Sequence, residues 1–153
     1  RIIIITMENL ETICLELHTL GLRLTPQRLA IVQRIFESNE HLTAQQIYET
    51  IKPEFPSLSL ATVYNTLDML MKMGKVNVLG DIGDDNLHYD ANTEPHVNLG
   101  CVKCKKIVDV SSDLAGQISD EIARTSGYKL LGARILYYGI CKSCQLEQGL
   151  SIT

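Results

Sequence analysis

The chain has 153 residues, 45% hydrophobic and 21% charged, with a formal net charge of −4. That composition fits one ordinary globular domain or two small ones and excludes a disordered chain, and no apolar run approaches the roughly 20 residues that span a bilayer. The negative balance argues against nucleic-acid binding by the surface as a whole, but not against a local basic patch, since only the patch meets the phosphates.

The opening Arg1–Thr6 is shorter than the roughly 7–15 apolar residues of a signal-peptide core. It precedes the first methionine, Met7, and is expected to be an extension of a soluble, cytoplasmic protein. Residues 7–20 place Leu10, Ile13, Cys14, Leu17 and Leu20 at helical spacing, with acidic residues between them. Gly21 ends that helix. Thr25-Pro26 is a helix start, a hydroxyl cap followed by proline at the first helical position. Leu29, Val32, Ile35 and Phe36 then repeat on one face up to Asn39. Thr43-Ala-Gln-Gln46 is a capping box and opens a third helix that buries Ile47 and Ile51 and ends before Pro53.

Ser59 caps a fourth helix running to about Met73, with Gly74 as its stop. At about 100° per residue, Leu60, Val63, Leu67, Leu70 and Met71 share the inner face. Thr62, Asn65 and Met69 lie opposite, with Ala61 and Tyr64 at the margins. Short hydrogen-bonding side chains beside a tyrosine suit the major groove, where base edges are read at close range; an ordinary surface helix is the competing reading. Lys75–Leu79 and Leu87–Asp90 flank a Gly/Asp-rich tip and read as a β-hairpin. Three helices followed by a hairpin is the winged helix-turn-helix layout, with the fourth helix as recognition helix. Arg23, Arg28, Lys72 and Lys75 are candidate phosphate contacts.

Ala91–Pro95 is polar and is expected to be a hinge. It divides a winged-helix domain, 1–90, from a small α/β domain, 96–153, so the fold class is α+β. The second domain is expected to run as a strand (His96–Gly100), a cysteine turn, a strand (Lys106–Val110), and a helix capped by Ser112 or Asp113 and carrying Leu114, Ile118 and Ile122. A long strand, Lys129–Gly139, completes it. So small a unit has exposed sheet edges and little core, and pairing with a second copy relieves both.

Cys101-Val-Lys-Cys104 and Cys141-Lys-Ser-Cys144 are the strongest single signal. A spacing of two residues lets one tight turn deliver both sulfurs to one ion, and two such turns complete a tetrahedral structural zinc site. A redox pair or disulfides are the alternatives, but two such motifs on one short domain favour metal. Cys14, the odd cysteine, is expected to be buried and inert. A second ligand set gathers near the hinge: Asp90, His96, Asn98, Asp109 and, before the third helix, His41. Nitrogen and oxygen donors without thiolate suit iron(II), manganese(II) or zinc(II).

The chain resembles the ferric uptake regulator family of metal-dependent repressors from about Leu20 to Cys144. The resemblance rests on Arg23-Leu-Thr-Pro-Gln-Arg28, His41-Leu-Thr-Ala44, Ser59–Leu67, His96-x-Asn98, the paired CxxC motifs and Tyr138-Gly-Ile-Cys141. It implies a homodimer with N-terminal winged helices on an inverted repeat of double-stranded DNA, with Ser59, Ala61, Thr62, Tyr64 and Asn65 in or beside the recognition helix. It also implies C-terminal domains making the dimer, zinc on the four cysteines, and a regulatory metal at the hinge.

Within the family the match is to the peroxide-sensing branch, where the regulatory site corresponds to His41, Asp90, His96, position 98 and Asp109. Asp109 and Asn65 both follow that branch. The usual histidine at position 98 is Asn98 here, a weaker neutral ligand, and His88 and His18 are candidates to replace it. The resemblance implies iron(II) or manganese(II) as the regulatory ion, with zinc or nickel as alternatives. A CxxC thiol switch is a further reading. An enzyme is not expected, because no substrate pocket or acid/base pair is legible.

Overall fold

The computed structural model describes residues 7–21, 23–110, 112–147 and 149, apart from the side chains of 7–10. The expected extension at 1–6 and the expected core role of Leu10 lie outside the described residues. Among them, no helix is long and apolar enough to cross a membrane. The backbone clusters into two compact units: Arg1–Val78 with His88–Asn92, and Leu79–Leu87 with Thr93–Thr153.

The chain begins with α1 (Met7–Thr19), α2 (Pro26–Glu37), α3 (Ala44–Ile51) and α4 (Leu60–Lys72), followed by a two-stranded sheet of β1 (Asn77–Leu79) and β2 (His88–Asp90). This is the winged helix-turn-helix arrangement. Its helices begin where their caps dictate. Thr25 Oγ1 accepts from the Arg28 N–H at 3.3 Å, with Pro26 in the first turn, and Ser59 Oγ accepts from the Thr62 N–H at 3.1 Å. Thr43 and Gln46 close the capping box in both directions. Leu17, Ile31, Val32, Ile47, Val63 and Leu67 are completely buried in one core, and that shared apolar burial is what holds α1–α4 together.

The second unit is a three-stranded sheet, ordered β4-β3-β5, with two helices. Strand β3 (Val97–Cys101) runs antiparallel to β4 (Ile107–Val110) and parallel to β5 (Ile135–Gly139). Helix α5 (Asp113–Ser126) is capped by Ser112 and stopped by Gly127 in the left-handed conformation, φ 70°. Helix α6 (Lys142–Glu147) carries Cys144.

Several expectations need correction. Met69, assigned to the outer face of α4, is buried in the first core, while Leu60 and Met71 are only half-buried. Leu20 is exposed, and Cys14 is half-buried. The long strand from Lys129 is short, Ile135–Gly139, and 128–134 has no regular structure. Leu114, Ile118 and Ile122 do lie on one face of α5, but that face is exposed; Ala115 is the buried residue of this helix. The hairpin tip, assigned to the first domain, clusters with the second. The physical cause is local: Ile82 packs with Leu79, Ile107 and Leu136, and the Lys105 ammonium donates to the carbonyls of Ile82 (3.2 Å) and Gly83 (2.7 Å).

Candidate metal centres and nucleic-acid interface

The four cysteines of the paired motifs bring their sulfurs within 4.8 Å of one another. The first pair sits on a knuckle at the end of β3. The Cys101 N–H donates to the Lys106 carbonyl and the Lys105 N–H to the Cys101 carbonyl, each at 2.9 Å. Lys105 closes that turn at φ 63°, an uncommon conformation for a side-chain-bearing residue. The second pair enters α6, where the Gln145 N–H donates to the Cys141 carbonyl. β5 ends at Gly139 in register with Cys101, so the sheet itself aligns the two turns.

Cys104 Sγ and Cys141 Sγ are 3.8 Å apart. That is far beyond a disulfide bond, about 2.05 Å, and is the edge of a tetrahedron whose centre stands about 2.3 Å from each sulfur, the zinc–thiolate length. The donor set and its spacing therefore fit zinc. The Cys141 N–H donates to Cys101 Sγ at 3.3 Å and, with further main-chain donors, draws the Cys101 thiol down to about 6. Cys144 is pushed up to about 12, first by its hydrogen bond with Cys141 and then by burial. Sulfurs this close cannot all ionise without a cation among them.

The second ligand set is divided between the units. In the first unit, the capping box fixes the chain at Thr43, which bridges to His88, and the Tyr89 N–H donates to the Leu42 carbonyl at 3.0 Å. His88 Nδ1 lies 3.0 Å from the His41 carbonyl. These contacts set His41 Nε2 3.7 Å from Asp90 Oδ1, both residues buried. Asp90 Oδ1 also accepts from the Asn92 N–H.

In the second unit, Asn98 and Asp109 are partners across β3 and β4, so their side chains share a face with His96, two residues before Asn98. His96 Nε2 is 3.7 Å from Asp109 Oδ1 and 3.3 Å from Asn98 Oδ1. The Glu94 carbonyl, 2.7 Å from His96 Nδ1, orients the ring. Sequence reasoning missed that group, because a main-chain carbonyl leaves no residue-type signature. Of the substitutes considered for the usual histidine at position 98, His88 is engaged with the His41 carbonyl, and His18 stands exposed on α1.

The candidate nucleic-acid interface is the outer face of α4. Ala61, Tyr64 and Asn65 are exposed there, and Thr62 is half-buried. Ser59 Oγ and Thr62 Oγ1 share a 2.8 Å hydrogen bond. The basic candidates divide. Arg23 is exposed, and its carbonyl accepts from Arg28 Nη1 at 2.9 Å. Lys72 pairs with Asp68 on its own helix. Lys75 pairs with Glu16 of α1 at 2.9 Å, so its charge is largely spent within the protein. Tyr89, buried beneath this face, has its phenol pushed up by burial and by the neighbouring Tyr64 and Asp68.

The model of the ferric uptake regulator family matches residues 19–138. The peroxide-responsive repressor PerR of Staphylococcus epidermidis is 36% identical over 139 residues, which are 91% of this chain and 92% of that protein. Among solved structures, the ferric uptake regulator Fur of Helicobacter pylori superposes with a TM-score of 0.76 at 25% identity, covering 92% of this chain and 94% of that one. PerR of Streptococcus pyogenes superposes at 0.53 with 37% identity, covering 89% and 92%. A family match spanning most of the sequence, together with relatives of nearly the same length, makes this chain a member of the ferric uptake regulator family.

Proposed function

We propose that this protein is a metal-dependent transcriptional repressor that binds inverted-repeat operator DNA as a homodimer and senses peroxide through iron(II) at a regulatory site. The observation that carries this reading is the presence, in each unit, of a partial nitrogen and oxygen donor set. His41 Nε2 faces Asp90 Oδ1 in the first, and His96 Nε2 faces Asp109 Oδ1 in the second. Neither set fills a coordination sphere by itself. One ion drawing on both would select one arrangement of the two units, and its binding would then couple to the grip on DNA. Cys101, Cys104, Cys141 and Cys144 would hold a separate structural zinc, which maintains the second unit whichever ion occupies the regulatory site.

The donor types suit iron(II) and manganese(II), and admit zinc or nickel. Bound iron(II) would supply the redox chemistry for reducing peroxide. In this reading an imidazole of His41 or His96 takes up one peroxide oxygen while the other leaves as water, and the damaged ligand no longer holds its share of the site. The chain's own contribution is to bury His41 beside Asp90 and to hold His96 by the Glu94 carbonyl.

The dimer reading draws on the second unit. Leu99 pairs with Val108 on β4 and with Tyr137 on β5, giving a row of exposed apolar side chains across the sheet. The exposed Leu114, Ile118 and Ile122 stripe of α5 adds to the uncovered apolar surface of this unit. Exposed apolar side chains gathered on one unit support the reading that a second copy covers them. A homodimer would place two α4 helices for successive major grooves, about 34 Å apart.

The test exposes the iron-loaded protein to peroxide and reads the His41 and His96 peptides by mass spectrometry alongside operator binding. A gain of one oxygen with loss of binding is expected. Unmodified peptides with binding intact would remove the peroxide sensor and leave a repressor that answers to metal alone.

A further inference from the structure

The hairpin tip between β1 and β2 has the wrong charge for a phosphate contact. Residues 76–102 include no lysine or arginine, while the tip carries Asp81, Asp84 and Asp85. Phosphates are met by cations and neutral donors, and a carboxylate brought near them is repelled. The tip, Leu79–Leu87, belongs instead to the second unit.

Its seat there is built from both sides. Ile82 is 3% exposed and packs with Leu79, Ile107 and Leu136. The two peptide groups flanking Gly83 are engaged at both ends. Their N–H groups, those of Gly83 and Asp84, donate to Asp81 Oδ1 at 2.7 and 2.8 Å. Their carbonyls, those of Ile82 and Gly83, accept from Lys105 Nζ at 3.2 and 2.7 Å. The N–H and C=O of a trans peptide point opposite ways. One carboxylate and one ammonium therefore draw on the same two groups from opposite sides, and each strengthens the bonds made to the other. A Cβ on Gly83 would stand 3.1 Å from Lys105 Nζ, so the glycine leaves room for the ammonium.

Lys105 is itself placed by the cysteine knuckle. It follows Cys104, and its N–H donates to the Cys101 carbonyl at 2.9 Å. It does so at φ 63°, where glycine is unstrained and a side-chain-bearing residue is not. An outlier of this kind points to function when its surroundings hold it in place. What lysine adds there, and glycine could not, is the ammonium on the tip.

We propose that the wing is an intramolecular docking element and not a nucleic-acid contact, with Lys105 as the clasp that commits its tip to the cysteine knuckle of the second unit. What the wing is withheld from rests on the DNA-binding reading above; the clasp stands on contacts within the second unit alone. On this account α4 meets DNA without help from the hairpin tip.

The experiment uses the full chain loaded with zinc and follows hydrogen exchange residue by residue by nuclear magnetic resonance. Lys105→Gly, which relieves the strained turn, is expected to keep its zinc yet raise exchange at Gly83 and Asp84 by about tenfold or more, the scale of hydrogen bonds to a charged group. Lys105→Arg, which keeps the charge, is expected to restore protection. Lys105→Gln, a long side chain without the charge, takes the place of Lys105→Gly if zinc content falls. Unchanged exchange in the zinc-loaded variant would overturn the clasp.

A second measurement takes the salt dependence of binding to an operator duplex selected from a random-sequence pool. Asn86→Lys adds a cation at the exposed tip and is expected to leave the slope as in the parent. An increase of about one would put the wing on phosphates and overturn the docking role. If the parent selects no duplex, the DNA-binding reading fails, while the exchange rates still decide whether Lys105 holds the tip.

Discussion

A Cβ added to Gly100 would stand 2.8 Å from Ile82 Cγ2 and 3.6 Å from Leu136 Cδ1. Ile82 therefore lies directly on the backbone of β3, and the glycine is what admits it. Cγ2 belongs to the branched carbon of Ile82, close to its own main chain, so it has little freedom to retreat. Gly100→Ala is expected to cost about 1–3 kcal/mol by overpacking, read as a lowered denaturation midpoint. Combined with Ile82→Ala it should cost less than the sum of the two single changes; strict additivity would show that the two residues do not meet.

Removing one sulfur from the zinc set should be far more damaging. Cys101→Ser leaves three thiols around a buried position that also receives the Cys141 N–H. Structural zinc contributes on the order of 10 kcal/mol in small sites. On the proposed reading the variant should fail to bind zinc, to dimerise and to keep the structure of the second unit, while the helical core of the first persists as residual helicity. A zinc-free variant that remains folded and dimeric would contradict the structural role.

His41→Ala separates regulation from folding. The four cysteines are untouched, so zinc content and thermal stability of the second unit should be unchanged. The gain in operator affinity on adding iron(II) or manganese(II) should vanish, a loss of roughly 5–150-fold for a coupling of ordinary size. Retention of the metal effect in titrations followed by fluorescence anisotropy would place the switch elsewhere.

Asp81 gives a pH prediction. Its Oδ1 accepts from the N–H groups of Gly83, Asp84 and Asp85 at 2.7–3.0 Å, and these bonds, that from Asp84 foremost, hold its carboxyl below the usual 3.8. A carboxyl depressed in the folded state stabilises the fold above its unfolded value and loses that contribution as pH falls through the folded one. Hydrogen exchange at Gly83, Asp84 and Asp85 should therefore stay protected down to about pH 4 and rise below it. Asp81→Ala should abolish the protection at every pH.

The basic residues near α4, the proposed DNA-reading helix, should not behave alike. Each cation that meets a phosphate adds about one to the salt dependence of binding. Arg23, exposed, should reduce that slope when changed to alanine. Lys75, held by Glu16 at 2.9 Å, should leave it nearly unchanged, whereas Glu16→Gln should steepen it by freeing the ammonium. Equal slopes for the Arg23 and Lys75 variants would show that the ion pair yields to DNA.

Local chemistry settled much of this protein in advance. The caps at Thr25, Thr43, Ser59 and Ser112 appear where hydroxyl residues precede apolar helical spacing, because a cap is a contact within four residues of chain. The paired CxxC motifs are as legible, since each turn is closed by its own main chain and only the meeting of the two is long-range.

Tertiary structure decided the rest. Met69 is buried where helical periodicity set it outside, because neighbouring helices, and not the angle around one axis, determine which face is covered. Leu114, Ile118 and Ile122 stay uncovered because an apolar stripe at helical spacing says that a face seeks a partner, without saying that the same chain supplies it. The amide of Asn98 is aimed by the Ile135 carbonyl, far along the sequence, and the Asp90 carboxylate meets His41 only because β2 passes the start of α3. Residue types name the possible ligands; strand register chooses the atoms they present.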